Sequence, residues 1–428
     1  MIKRIAVFGA GVSGQSVAKL ARSEDVSVTI FDEHKTNTKQ SLSLSELEDF
    51  DHFIFSPGFN QKHKWRLMLQ NNINVQGELA YASERWKGKI FGITGTNGKT
   101  SVTRFIKEIL EVSGKEAYAV GNIGIPLSNL INTSANHPNS IAVCEISSFQ
   151  AELKEGLFLD ALIWTNFSED HLDSYSNIEA YFQAKLSLVN CLKKDAPFIV
   201  GDTLLIYKSR GYWKDIGAKI ISMDTDINKL VRDNKLHMKS IFAKFPQFFN
   251  FLLVLSFAEI IGIEDSILLK CSKRFSLDYF RLTKIHKGSF FNIWQDSKAT
   301  NLAAVIGAVK SMNGRIFWIG GGASKGSSTE KFAEEIAPYV DQVFTYGSVG
   351  ESLEGHFKNL TKPVEFREEL VDCIRVCVRN LMLEGDKGKI EVLFSPGFSS
   401  FDQFSSYKVR GKFFERTIFS LLKEYSCL

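Results

Sequence analysis

The segment Lys89-Ile90-Phe91-Gly92-Ile93-Thr94, running straight into Gly95-Thr96-Asn97-Gly98-Lys99-Thr100-Ser101, constrains this chain most. The apolar run reads as a buried strand, the glycines as a tight turn, and Ser101 to Val112 as a helix. A strand turning through glycines into a helix aims main-chain N–H groups and the positive helix end at one point, which suits a phosphate. Lys99 is placed to neutralise β- and γ-phosphates, and the Thr100 hydroxyl to ligate Mg²⁺. The spelling is a variant. The common phosphate loop has glycine where this chain has Ile93, and the nearest glycines are Gly92 and Gly95.

A second glycine turn lies at the start. Ile5-Ala6-Val7-Phe8 leads into Gly9-Ala10-Gly11-Val12-Ser13-Gly14 and a helical stretch, and the next strand ends at Asp32. This G-x-G-x-x-G pattern is an anion site of the same kind. NAD, with Asp32 on the ribose, is one ligand that fits. Any nucleotide diphosphate satisfies the same physics, and a ligand-free strand–helix turn is the plain alternative.

Strands alternate with helices along the rest of the chain, which predicts doubly wound α/β architecture in three domains. The expected bounds are 1–80, 81–277 and 278–428. The N-terminal run ends in glycines, so it reads as a strand of a mature domain and not as a cleaved signal. With 44% hydrophobic and 23% charged residues over 428 positions, each domain can bury a core. The balance of 52 Lys+Arg against 48 Asp+Glu leaves +4, too little to make nucleic acid or an anionic membrane the main partner. The apolar run from Phe248 to Ile263 is short of a membrane span and holds Asn250 and Glu259. The six cysteines (144, 191, 271, 373, 377 and 427) include no C-x-x-C pair, so reduced thiols in a cytoplasmic protein are expected.

In the middle region Glu145 ends the run Ile141-Ala142-Val143-Cys144. A carboxylate at a buried strand's C-terminal end, beside a phosphate loop, is placed for Mg²⁺; an edge carboxylate facing water is the alternative. Asp170, His171 and Asp173 follow another strand end. His171 taken alone reads as a solvated loop histidine, and Lys185 on its helix as a solvated lysine.

Taken together, Gly92 to Thr100, Gly121-Asn122-Ile123-Gly124, Glu145-Ile146-Ser147-Ser148-Phe149-Gln150 and Asp170-His171-Leu172-Asp173 resemble, in that order, the Mur ligases of peptidoglycan synthesis. Asp296-Ser297-Lys298-Ala299-Thr300-Asn301 and Ser395-Pro396 through Ser399-Ser400-Phe401-Asp402-Gln403-Phe404 resemble the members that add D-glutamate to UDP-N-acetylmuramoyl-L-alanine. The resemblance spans nearly the whole chain. It implies a Rossmann-like N-terminal domain that holds UDP and not NAD, a central ATP-binding domain, and a Rossmann-like C-terminal domain that closes on D-glutamate. For the uridine substrate it implies Gly11, Val12, Ser13, Asp32, Ser56, Pro57, Gly58, Asn122 and Ser147. For ATP it implies Gly95, Thr96, Asn97, Gly98, Lys99, Thr100, Ser101, Asn250, Arg281 and Asp296.

The same resemblance implies two Mg²⁺ ions, served by Thr100, Glu145, His171 and Lys185. Lys185, in Phe182-Gln183-Ala184-Lys185-Leu186, matches a lysine that the family carries as a carbamate. Lys298 falls at the reacting carboxylate; Thr300, Lys325, Ser400, Phe401 and Tyr407 fall around D-glutamate. Lys99, His171, Lys185 and Lys298 are thus the expected catalytic set, in a monomer. Where the family has His-Arg and His-Asn, this chain has Phe280-Arg281 and Pro246-Gln247. A relative that binds nucleotide with weakened catalysis is the alternative these positions raise, and an NAD-dependent dehydrogenase is the alternative from the first loop alone.

Overall fold

The computed structural model describes residues 2–425 apart from 73, 215, 216, 223, 224, 234, 386 and 387. Three sheets carry the chain. The first comprises β1 (Arg4–Phe8), β2 (Ser27–Phe31), β3 (His52–Phe55) and β4 (Val75–Gly77), in the order β2-β1-β3-β4 and parallel throughout. Ile5 to Phe8 are fully buried because β1 is central, which is why that run is continuously apolar. Phe8 stacks with Phe55 at 4.3 Å and Phe31 at 5.3 Å, so aromatic rings on one face form a compact core.

The second sheet comprises β5 (Lys89–Thr94), β6 (Ala117–Gly121), β7 (Ile141–Glu145), β8 (Ala161–Trp164), β9 (Phe198–Gly201) and β10 (Lys219–Ile221). Its order is β10-β9-β8-β5-β7-β6, all parallel. β5 has β7 on one side and β8 on the other, so the strand order reverses there. In an open parallel sheet that reversal opens a crevice beyond the carboxyl ends of the strands. The glycine turn after β5, Glu145 closing β7, and Thr165-Asn166 after β8 all meet at this crevice.

The third sheet comprises β11 (Thr283–Lys287), β12 (Phe291–Gln295), β13 (Arg315–Gly321), β14 (Gln342–Tyr346), β15 (Val364–Arg367) and β16 (Ile390–Gly397). Its order is β11-β12-β16-β13-β14-β15; β11 is antiparallel and the other strands are parallel. The chain divides into two compact units. One is Met1–Phe167, Ser174–Ala243 and Gln247–Phe275, with the first two sheets; the other is Ser168–Asp173, Lys244–Pro246 and Ser276–Leu428, with the third. Cys144, Cys191, Cys271, Cys373 and Cys377 are free and buried, while Cys427 lies outside the described residues. Among the described residues no helix is long and apolar enough to cross a membrane.

Candidate active site

In the first unit, the turn after β5 is clamped by the strand beside it. Thr96 N–H donates to Asn166 O at 3.0 Å and Asn97 N–H to Asn166 Oδ1 at 2.9 Å. Asn97 O accepts from Thr165 Oγ1 at 2.6 Å and from Asn166 Nδ2 at 3.0 Å. Gly98 begins the helix Lys99–Val112 at φ +84°, and no side chain caps that helix end. A Cβ on Gly98 would fall 2.3 Å from Asn250 Oδ1. The buried Asn250, donating to Gln247 Oε1 at 2.8 Å, therefore presses on the loop backbone. Gln247 serves as the acceptor that orients Asn250.

Lys99 folds over its own turn, donating to Gly95 O at 2.8 Å and Thr96 O at 2.9 Å. The expected solvated reading of Lys185 is overturned. Lys185 is 1% exposed, its Nζ also donates to Gly95 O, at 3.0 Å, and it sits 4.8 Å over the Tyr181 ring. It shares the buried part of its helix with Tyr181, Phe182 and Ala184. The water-facing alternative for Glu145 also fails. It is 3% exposed; Oε2 accepts from Thr100 Oγ1 at 2.8 Å and Oε1 from Asn122 Nδ2 at 2.9 Å.

Among the described residues no group of three or more His, Cys, Asp and Glu gathers to hold a metal by itself. The pair Thr100–Glu145 nevertheless fits Mg²⁺. These are hard oxygen donors, side by side at a phosphate turn, and Mg²⁺ commonly takes one or two protein oxygens, with phosphates and water completing its shell.

At the N-terminal turn, a Cβ on Gly14 would lie 1.8 Å from Gly9 O, so only glycine lets the helix Val12–Ser23 approach the turn this closely. Ser56 Oγ donates to Gly9 O at 3.4 Å. Gly11 starts the helix with no side-chain cap, and Val12 is 71% exposed. Asp32, expected at the ribose, is bonded within its own loop. Its Oδ2 accepts from Ala10 N–H at 2.8 Å and its Oδ1 from His34 N–H at 3.0 Å, so the carboxylate first shapes its own loop. The Ala10 bond leads the effects that hold Asp32 below its ordinary range, against the opposing effect of burial. Ser147 likewise serves locally, in a reciprocal capping box with Gln150.

In the second unit, Lys325 Nζ donates to Asp170 Oδ1 at 3.0 Å and to Thr300 Oγ1 at 3.2 Å, while Asn301 Nδ2 donates to Asp170 Oδ2 at 3.1 Å. Burial alone would raise Asp170, but Lys325, His171 and Asn301 hold it at about 2. His171 adopts φ +57°, a left-handed backbone that a side-chain-bearing residue keeps only where its surroundings enforce it. Lys298 Nζ meets Asp278 Oδ2 at 2.9 Å and lies 5.8 Å over the Tyr407 ring. Asp296 accepts from Leu282 N–H at 3.0 Å and Ser395 Oγ at 2.8 Å; Arg281 acts on it electrostatically. Burial pushes Asp296 up to about 6.

Ser400 is buried and Phe401 is 76% exposed. Phe280 packs against Gly411 and meets Tyr407 edge-on at 6.3 Å, so an aromatic contact stands at this position. Residues passed over in the sequence include Thr165, Asn166 and Asn301. Asn166 had a signal, a polar residue directly after an apolar strand. Arg410, fully buried and donating to Ser297 O at 2.9 Å and Phe398 O at 3.0 Å, had none inside its helical run.

Known proteins resemble this chain in sequence and in fold. Residues 93–262 match the Mur ligase middle domain. The chain is 30% identical over 467 residues to a UDP-N-acetylmuramoylalanine--D-glutamate ligase of Prochlorococcus marinus (strain MIT 9312), covering 97% of this chain and 96% of that one. It belongs to the Mur ligases. A ligase of the same name from Protochlamydia amoebophila is 28% identical over 97% of this chain and 98% of its own. Among solved Mur ligases, MurF from Acinetobacter baumannii superposes with TM-score 0.62 at 13% identity, covering 98% of this chain and 93% of that one. MurF from Thermotoga maritima in complex with ADP gives 0.56 at 13%, covering 99% and 96%. At those identities the likeness is one of fold.

Proposed function

We propose that this Mur ligase joins D-glutamate to UDP-N-acetylmuramoyl-L-alanine at the expense of ATP, releasing ADP and phosphate in the cytoplasm as a monomer. The observation that carries the reading is the phosphate turn with Lys99 folded across it and the Thr100–Glu145 pair at 2.8 Å beside it. Residues 1–80 would hold the uridine carrier, 81–277 ATP, and 278–428 D-glutamate.

A carboxylate resists amines because its oxygen is a poor leaving group. Its oxygen attacks the γ-phosphorus, the bond to the β–γ bridging oxygen breaks, and ADP departs. The amine of D-glutamate then adds to the acyl phosphate carbonyl and loses a proton, and phosphate leaves from the tetrahedral intermediate. Lys99 and Lys298 would offset charge growing on the phosphoryl oxygens. Thr100, Glu145, His171 and a carbamate on Lys185 would hold Mg²⁺, which when bound supplies further neutralisation of phosphate charge. Lys325, Thr300, Ser400 and Tyr407 would hold the incoming amino acid with its amine free. Gly11–Ser13, Asp32, Ser56–Gly58, Asn122 and Ser147 would hold the uridine carrier, while Asn250, Arg281 and Asp296 would hold the nucleoside of ATP.

A phosphate-release assay with UDP-N-acetylmuramoyl-L-alanine tests this, with the amino acid varied. Release that depends on D-glutamate supports the reading; release indifferent to the amino acid overturns it. Phe280, apolar where the family has histidine, favours a second reading in which nucleotide binds without turnover. ATP binding with both substrates present and no phosphate release would establish that one.

A further inference from the structure

A buried polar relay crosses the first unit. Glu78 is 2% exposed, and its Oε1 accepts from both Ser128 N–H at 2.9 Å and Ser128 Oγ at 2.7 Å. The Ser128 hydroxyl lies 2.6 Å from Ser16 Oγ and Asn129 Oδ1 lies 2.8 Å from the same Ser16 oxygen, so the single Ser16 proton serves one of these two acceptors at a time. Glu78 Oε2 is buried with no hydrogen-bond partner among the described residues. Burial pushes the Glu78 carboxyl above its ordinary range, against the two Ser128 bonds. A buried acid without a matching cation costs stability, so its retention points to a task other than packing.

Two members of the relay sit next to expected ligand elements. Ser16 sits one helical turn beyond Gly11-Val12-Ser13, and Ser128 sits in the turn that follows Gly121-Asn122-Ile123-Gly124. Asn122 in turn donates to Glu145. We infer that Glu78 is a positioning residue for the uridine-carrier substrate. Through Ser128 and Ser16 it locks the first glycine helix against the 121–129 loop, so that Gly11–Ser13 and Asn122 face one ligand. The identity of that ligand rests on the proposed function. The backbone of the ATP turn is fastened by Thr165 and Asn166, and the loop reaches it through the Asn122–Glu145 bond, so the relay should act far more on the uridine ligand than on ATP.

The test is calorimetry of the full-length wild type and the variants Glu78→Ala, Ser128→Ala and Glu78→Gln, titrated with UDP-N-acetylmuramoyl-L-alanine and separately with ATP. Glu78→Ala and Ser128→Ala should weaken the uridine ligand about tenfold, the scale of a lost buried hydrogen bond, and leave ATP affinity within about twofold. Glu78→Gln keeps the acceptor at Oε1 and should restore uridine affinity. If Glu78→Ala fails to fold, Ser128→Ala and Glu78→Gln decide. Unchanged uridine affinity in Ser128→Ala, or equal loss of both ligands, overturns the inference. Wild-type binding of the uridine ligand without turnover would sink the ligase reading alone, and no wild-type binding would sink both.

Discussion

Lys99 and Lys185 bring their ammonium groups to one acceptor, the carbonyl oxygen of Gly95, at 2.8 and 3.0 Å. Two like charges on one oxygen repel, and one of them is 1% exposed. Converting Lys185 to a carbamate replaces that repulsion with attraction and creates an oxygen ligand. Carbon-13 bicarbonate should therefore label Lys185, read as a carbamate resonance absent from Lys185→Ala. That variant should lose about 100-fold or more in rate and regain part of it with short carboxylates. No rescue and no resonance would leave Lys185 a plain lysine.

Lys99 is the proposed contact to the phosphates. Lys99→Ala should depress turnover by about 100-fold or more, on the scale of losing one preorganised electrostatic donor. Its fold should survive, since the turn remains held by Thr165 and Asn166. Wild-type rates in this variant would remove the phosphate turn from the chemistry.

Asp296 gives a pH signature. Its carboxyl rises from 3.8 to about 6 on folding, so the folded state keeps the proton longer than the unfolded chain. Stability contributed by this group is present at low pH, declines through that interval, and is flat above it. The decline is on the order of 3 kcal/mol. Asp296→Asn should abolish it, because the amide can still accept from Leu282 N–H and donate to Ser395 Oγ. Melting temperatures of variant and wild type should diverge between about pH 4 and 6 and run parallel above; a constant gap would contradict the assignment.

Gly98→Ala should cost about 1–3 kcal/mol, from the positive φ and from the 2.3 Å approach to Asn250 Oδ1. It should weaken ATP about tenfold, because the displaced turn no longer aims its N–H groups at phosphate. Thermal melts and ATP titration check the two effects separately.

Lys325→Met should raise the KM for D-glutamate by about tenfold or more, since it removes one cation and leaves the buried Asp170 with Asn301 and the more distant His171 ring. KM for ATP should move far less. A uniform change in both would argue for collapse of the loop and against a specific amino-acid contact.

Local pattern carried the strands and the glycine turns, because each reports on its immediate neighbours. Ile5 to Phe8 had to be a central buried strand, since continuous apolarity has no other stable place in a parallel sheet. Gly98 had to permit φ +84° at the start of a helix. Order of motifs along the chain sufficed for the family. Tertiary packing decided what no neighbour in sequence could. It buried Lys185, bent Asp32 back onto Ala10, joined Glu145 to both Thr100 and Asn122, and ran a relay from Glu78 to Ser16. The reason is physical. Burial and charge pairing depend on which strands lie side by side, and the order β10-β9-β8-β5-β7-β6 is a property of the folded sheet.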